Sequence, residues 1–286
     1  MSCILVAVDM EIPTAEPGAN RAQGTSPAPA YAHETERAAG KVRVPPRITA
    51  AFWIVKVLST GMGEACSDYM AHRFGSIPAG GIGAVILVVP LVIQLRAKRY
   101  LPWAYWTAVS AVAVTGTMAA DGLHVELKMP YAATTTLYAC ILAVILVAWY
   151  ATERTLSIHS IVTTRRELFY WATVMATFAL GTAVGDLSAT TLHLGYFSSG
   201  LLFAGIIAVP ALAHRFARLN AIFAFWFAYV ITRPLGASFA DWLDMPRDVG
   251  GRGFGDGPVA LAGLVIVFVG VAAIATMHKR APAERE

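Results

Sequence analysis

The apolar positions of this chain fall in blocks, not in the scattered pattern that a soluble core needs. Eight blocks can be marked, at about 48–68, 79–95, 103–121, 131–150, 168–186, 194–213, 220–241 and 258–277. Each is close to the roughly 20 residues that cross a bilayer as a helix at about 1.5 Å per residue. The second block is short and carries Pro90, and the fifth and seventh carry polar residues. The pattern predicts an all-α, polytopic membrane protein with eight transmembrane helices. Residues 1–46, rich in Ala, Pro, Gly, Thr and Glu and without periodicity, are expected to form a disordered tail. Residues 47–286 are expected to form the membrane domain. The short apolar run from Ser2 to Val8 lacks the basic start and the length of a signal peptide.

A repeat runs through the blocks. Trp53, Gly63 and Asp68 stand at relative positions 0, 10 and 15, and so do Trp106, Gly116 and Asp121. Trp171, Gly181 and Asp186 keep the same spacing, as do Trp226, Gly236 and Asp241. Tryptophan is rare, and the ungapped recurrence fixes the span count at eight. The chain reads as four tandem two-helix repeats, about 48–100, 101–166, 167–219 and 220–280. The signature lies on the first helix of each pair, so each copy enters the membrane in the same direction. Val89-Pro90 before Arg96 and Val209-Pro210 before Arg215 mark repeats one and three alone. That alternation predicts two parallel four-helix halves related by a pseudo-two-fold axis.

At 100° per residue, positions 0, 4, 7, 8, 11 and 15 share a helix face. In repeat one these are Trp53, Val57, Thr60, Gly61, Glu64 and Asp68, and in repeat two Trp106, Ser110, Ala113, Val114, Thr117 and Asp121. Repeat three contributes Trp171, Met175, Phe178, Thr182 and Asp186, and repeat four Trp226, Arg233, Pro234 and Asp241. A stripe this polar is expected to face other helices or a water-filled cavity. The Trp residues suit interfacial anchoring or packing, or a place in a site. The Gly residues suit close helix packing, or a hinge. The Asp residues, opposed by the helix dipole at a C-terminal end, either cap the segment that follows or form a shared polar cluster.

Charge adds orientation and exclusions. Hydrophobic residues make up 57% of the chain and charged residues only 14%, well below the roughly 25% of soluble domains. One side receives Arg37, Lys41, Arg43, Arg47, Arg96, Lys98, Arg99, Arg154, Arg165, Arg166, Arg215, Arg218, Lys279, Arg280 and Arg285. The other receives only Arg73, Lys128, Arg247 and Arg252. The positive-inside rule places both termini in the cytoplasm. The net charge of +4 then points to anionic lipid headgroups of the bilayer, not to nucleic acid.

Three intramembrane charges break the repeat: Lys56 and Glu64 in copy one, and Arg233 in copy four. Intramembrane ionisable groups point to function. Lys56 either snorkels to the surface or stays inside. Glu64 and Arg233, each otherwise uncompensated, are expected to pair across the bundle. His72, His124 and His193 follow the repeat Asp residues and are weak candidates for a transition-metal site, or are solvated. Cys3, Cys66 and Cys140 show no paired spacing. Gly250 to Gly257 reads as a flexible outer loop, with no phosphate-loop or hydrolase motif. No catalytic constellation or cofactor motif stands out, so an enzyme is not expected.

The stretch Phe52-Trp53-Ile54-Val55-Lys56, followed by Thr60-Gly61-Met62-Gly63-Glu64-Ala65, carries a resemblance. The chain resembles the bacterial integral-membrane proteins built from four tandem two-helix repeats of unknown function with a recurring Trp. The resemblance covers about 48–280 and implies an inner-membrane location, with no activity attached. The residues themselves favour a transporter or exporter of a small solute or cation. Its pathway would use Glu64, Asp68, Asp121, Asp186 and Asp241, with Lys56 and Arg233 setting the field. A non-transporting scaffold or sensor is the alternative.

Overall fold

The computed structural model describes residues 42–217 and 219–280. Among them the regular structure is helical throughout. The helices are α1 (Ala50–Phe74), α2 (Ser76–Arg96), α3 (Pro102–Val125), α4 (Tyr131–Glu153) and α5 (Thr164–Asp186). They continue with α6 (Tyr196–Ile206), α7 (Ala208–Ala217), α8 (Ala221–Asp244) and α9 (Asp256–Arg280). Local sequence sets the starts. Thr49, Thr163 and Asn220 cap α1, α5 and α8 by accepting backbone N–H bonds. Pro102 opens α3, where its missing N–H costs nothing. Pro210 lies just after the break between α6 and α7, which form one span from Tyr196 to His214. Pro90 interrupts nothing, and α2 runs through it.

Among the described residues, seven helical segments are long and apolar enough to cross a membrane. By length and composition these helices suit a membrane protein. The helix α1 falls outside that set because Lys56, Glu64 and Asp68 interrupt its apolar run. It turns Lys56 and Glu64 inward and leaves Ile54 and Leu58 exposed.

The repeats close into a ring. The signature helices α1, α3, α5 and α8 pack in cyclic order, α1 on α3, α3 on α5, α5 on α8 and α8 back on α1. Each second helix then packs on the signature helix of the next copy: α2 on α3, α4 on α5, α6 on α8 and α9 on α1. The signature Gly explains the closeness. A methyl group at Gly63 would overlap Ala113, and at Gly116 it would overlap Phe178. At Gly181 it would overlap Arg233, and at Gly236 Thr60 and the backbone of Val57 and Gly61. In every copy, position 10 rests on position 7 of the next copy. This cyclic contact is compatible with the expected two-fold halves and extends them, because position 10 meets the same partner position at all four junctions. The close-packing reading of the Gly residues holds.

The outer helices turn apolar side chains outward, among them Val85 and Val88 of α2, Val144 and Val147 of α4, and Val265 and Phe268 of α9. Such a surface suits lipid, where every backbone polar group must be satisfied within the helices.

The expected tail lies outside the described residues up to residue 41, but its last five residues are placed. Val42 and Val44 are buried, and the Arg43 amide donates to the carbonyl of Ile161 at 3.1 Å. The Arg43 guanidinium meets the buried Glu167 at 2.9 Å, and Gln94 donates to the same carboxylate at 2.9 Å. The ordered part therefore begins earlier than the loss of hydrophobic periodicity suggests.

Candidate functional site

The axis of the ring is built in layers, each contributed by equivalent positions. The Trp layer closes one end. Trp53, Trp106, Trp171 and Trp226 are all buried, so they pack inside the bundle. Each is preceded by another buried aromatic: Phe52, Tyr105, Tyr170 and Phe225. The four neighbouring pairs meet edge to face with centroids 5.2–5.3 Å apart. The Tyr105 and Tyr170 hydroxyls bond at 2.6 Å across two copies. This second aromatic recurs in the sequence at the position before each Trp.

Inside the Trp layer lies Lys56. It does not snorkel; it is fully buried and its Nζ has no hydrogen-bond partner. The ammonium sits 4.0 Å from the ring centre of Phe178 and 4.3 Å from that of Tyr229. Cation–π attraction of this kind reaches about 2 kcal/mol when desolvated.

Beyond Lys56 comes Arg233, also fully buried. Its Nη2 donates to the Glu64 carboxylate, to the Thr117 hydroxyl, and to Thr182 Oγ1 at 2.8 Å. Its Nη1 donates to the Thr60 carbonyl at 2.6 Å. Glu64, Thr117 and Thr182 all occupy position 11 of their repeats. One arginine thus reaches across the axis to the same position in the three other copies. The expected Glu64–Arg233 pair is present. Thr117 and Thr182, which complete it, were marked in the sequence only as part of the stripe.

The far end is acidic. The repeat Asp residues do not cap following helices: Asp68, Asp121 and Asp241 lie inside α1, α3 and α8. Asp186 precedes a π-helical turn, Leu187–Thr191, without a side-chain cap bond to it. The carboxylates gather instead. Oxygens of Glu64, Asp68 and Asp241 lie within 4.8 Å of one another. Glu64 also acts electrostatically on Asp121 and Asp186. Buried oxygens remain unpartnered there, Oδ1 of Asp241 and both oxygens of Asp244. The glycine-rich loop folds back on this end: the amides of Arg252 and Gly253 donate to the carbonyls of Trp242 and Met245 at 2.7 and 2.8 Å. These bonds fill orphan acceptors at the end of α8, so the loop is tied down and not free as expected.

The histidines stand apart from this cluster. His72 Nδ1 meets Asp256 at 2.8 Å, not Asp68. His124 bonds the Met129 carbonyl at 2.8 Å and stacks on Tyr131. His193 lies in a turn with a left-handed φ of 57°. Among the described residues, the group of possible metal ligands consists of carboxylates alone.

Four copies of one helix pair, with one signature contact at every junction, point to a single repeat family. The chain belongs to the DUF347 family. The Repeat of Unknown Function (DUF347) matches it four times, over residues 51–100, 104–155, 169–220 and 224–281. Each DUF347 copy spans one signature helix and its outer helix. Neither the curated proteins nor the solved structures contain a match.

Proposed function

We propose that this DUF347 protein is a carrier for a small cation, with the acidic end of its ring as the binding site. The observation that supports this most directly is the convergence of Glu64, Asp68 and Asp241 oxygens within 4.8 Å, beside buried carboxylate oxygens that have no partner. Oxygen-only ligands at this spacing suit a hard divalent cation or shared protons. Asp68, Asp121 and Asp186 are partly exposed, so the cluster is accessible from its own end. The Trp layer closes the other end. Arg233 holds Glu64 when no cation is present, and an arriving cation competes with the guanidinium for that carboxylate.

In this reading α1 is the eighth span, and its charges are sheltered by the three other signature helices of the ring. On the same reading the protein lies in the bacterial inner membrane with both termini in the cytoplasm, an orientation that the positive-inside bias of its basic end supports. The Trp layer then faces the cytoplasm and the acidic cluster faces outward. No catalytic step is assigned to any residue.

The test is cation sensitivity of a deletion strain across magnesium, manganese, cobalt, nickel and zinc salts. Wild type restores growth, whereas Asp68→Asn and Asp241→Asn, at matched membrane levels, do not. Full rescue by both variants removes the carrier function from the acidic cluster.

A further inference from the structure

A second feature lies at the opposite end of the molecule, away from the acidic cluster. A groove of about 900 Å³ opens between the C-terminal half of α2, the start of α3 and the end of α9. Its floor is apolar, with Val89 and Ile93 on one side and Trp103 on the other. All three are substantially exposed. Its end is basic, formed by Arg99, His278 and Lys279.

Charge decides what the groove fits. Three cations at this end are neutralised within the protein: Arg43 by Glu167, and Arg165 and Arg166 by Glu153. Arg99 and Lys279 have no carboxylate partner among the described residues. His278 is held edge-on against Tyr100 at 5.3 Å, which fixes the rim of the groove. Trp103 packs on Phe268 at 5.1 Å, joining α3 to α9 along the apolar floor. An apolar trough ending in two free cations matches a molecule with an acyl chain and an anionic head. The volume falls in the usual range of about 300–1,000 Å³ for ligand sites.

We propose that this groove binds one anionic phospholipid, its phosphate between Arg99 and Lys279 and an acyl chain along Val89, Ile93 and Trp103. The lipid bridges repeats one, two and four, since α2, α3 and α9 each belong to a different copy. It would tie the outer helix α9 to the α2–α3 junction. This site is independent of the carrier reading and shares no residue with it.

The test uses the full chain purified in a mild detergent and examined by native mass spectrometry. Phosphatidylglycerol, phosphatidylcholine and inorganic phosphate are added separately. Wild type retains phosphatidylglycerol at least about fivefold over phosphatidylcholine, the scale of about 1 kcal/mol of selective contact. The Arg99→Ala/Lys279→Ala variant loses that preference, and Arg99→Lys/Lys279→Arg keeps it. Arg96→Ala/Lys98→Ala, on the same face but outside the groove, also keeps it. Both substituted side chains in the groove are exposed, so folding is preserved and is checked by monodispersity. Equal retention of both lipids by wild type overturns the proposal. So does unchanged retention in the Arg99/Lys279 alanine variant, equal loss in the control pair, or displacement of the lipid by inorganic phosphate alone.

Discussion

Arg233 of repeat four donates directly to the carboxylate of Glu64 in repeat one, with both side chains buried. Removing one member of such a pair strands the other in low dielectric and costs about 3–5 kcal/mol. Arg233→Met should therefore lower thermal stability in detergent sharply. Glu64→Gln should cost less, because the amide still accepts from Arg233. The Glu64→Leu/Arg233→Met double variant should recover much of the loss. A double variant as unstable as Arg233→Met alone would show that the threonine contacts, not the ion pair, carry the effect.

Gly236→Ala should be strongly destabilising. The added methyl would overlap Thr60 and the backbone of α1, where the ring closes. Overpacking costs about 1–3 kcal/mol when the neighbours are side chains, and backbone yields less readily. Gly122→Ala is the control, since a methyl there meets nothing within 4 Å. It should be neutral or stabilise by about 0.4–1 kcal/mol through the unfolded chain. Thermal unfolding of the two variants side by side would separate them, and equal effects would contradict the ring contact.

These two predictions rest on features of unequal visibility in the sequence. The spacing of Trp, Gly and Asp identified the repeat, because it depends only on position along one helix. The Glu64–Arg233 pair was legible because two isolated charges in lipid have few other remedies. The cyclic contact of position 10 on position 7 was not legible. It depends on how helices from different copies face each other, which periodicity within one helix does not encode. The choice between interfacial anchoring, packing and a site role for the Trp residues stayed open for a similar reason: hydropathy reports depth along the helix, whereas each Trp packs on the aromatic of the preceding copy. Capping by Asp68 and Asp121 failed because both helices continue past them. Phe178 was marked only as a stripe residue, yet its ring lies 4.0 Å from Lys56 Nζ and 5.3 Å from the Arg233 guanidinium carbon.

Lys56→Met should leave stability unchanged or raise it. The ammonium is buried without a hydrogen-bond partner, and an apolar side chain of similar length fills the same space. In the deletion strain the same variant should fail to restore cation tolerance, since the charge is then kept for its field on the axis and not for folding. A melting temperature reduced as far as in Arg233→Met would instead make Lys56 a structural residue.

The orientation is checked by cysteine labelling from outside intact cells, in a background lacking Cys3, Cys66 and Cys140. Lys128→Cys and Arg252→Cys should react with a membrane-impermeant maleimide. Lys98→Cys and Lys279→Cys should react only after lysis. Labelling of Lys98→Cys in intact cells, with Lys128→Cys protected, would invert the topology. Labelling of Arg73→Cys but not Lys98→Cys would confirm that α1 and α2 lie on one hairpin.

Cation binding should be visible without transport. A ligand that binds only the folded state adds about 2.7 kcal/mol of stability at a hundredfold excess over its dissociation constant. Titration of the purified protein with manganese or magnesium should raise its unfolding temperature, and Asp68→Asn/Asp241→Asn should abolish the rise. Asp256→Asn is the fair comparison. It removes an acidic group at the same end, but one paired with His72 at 2.8 Å and not part of the three-carboxylate group. If screening of general negative charge caused the rise, Asp256→Asn would diminish it too, and a monovalent salt at equal ionic strength would reproduce it. A response that needs Asp68 and Asp241 but not Asp256 would tie the effect to the geometry of the cluster. No response to any cation would leave Glu64 as a partner for Arg233 alone.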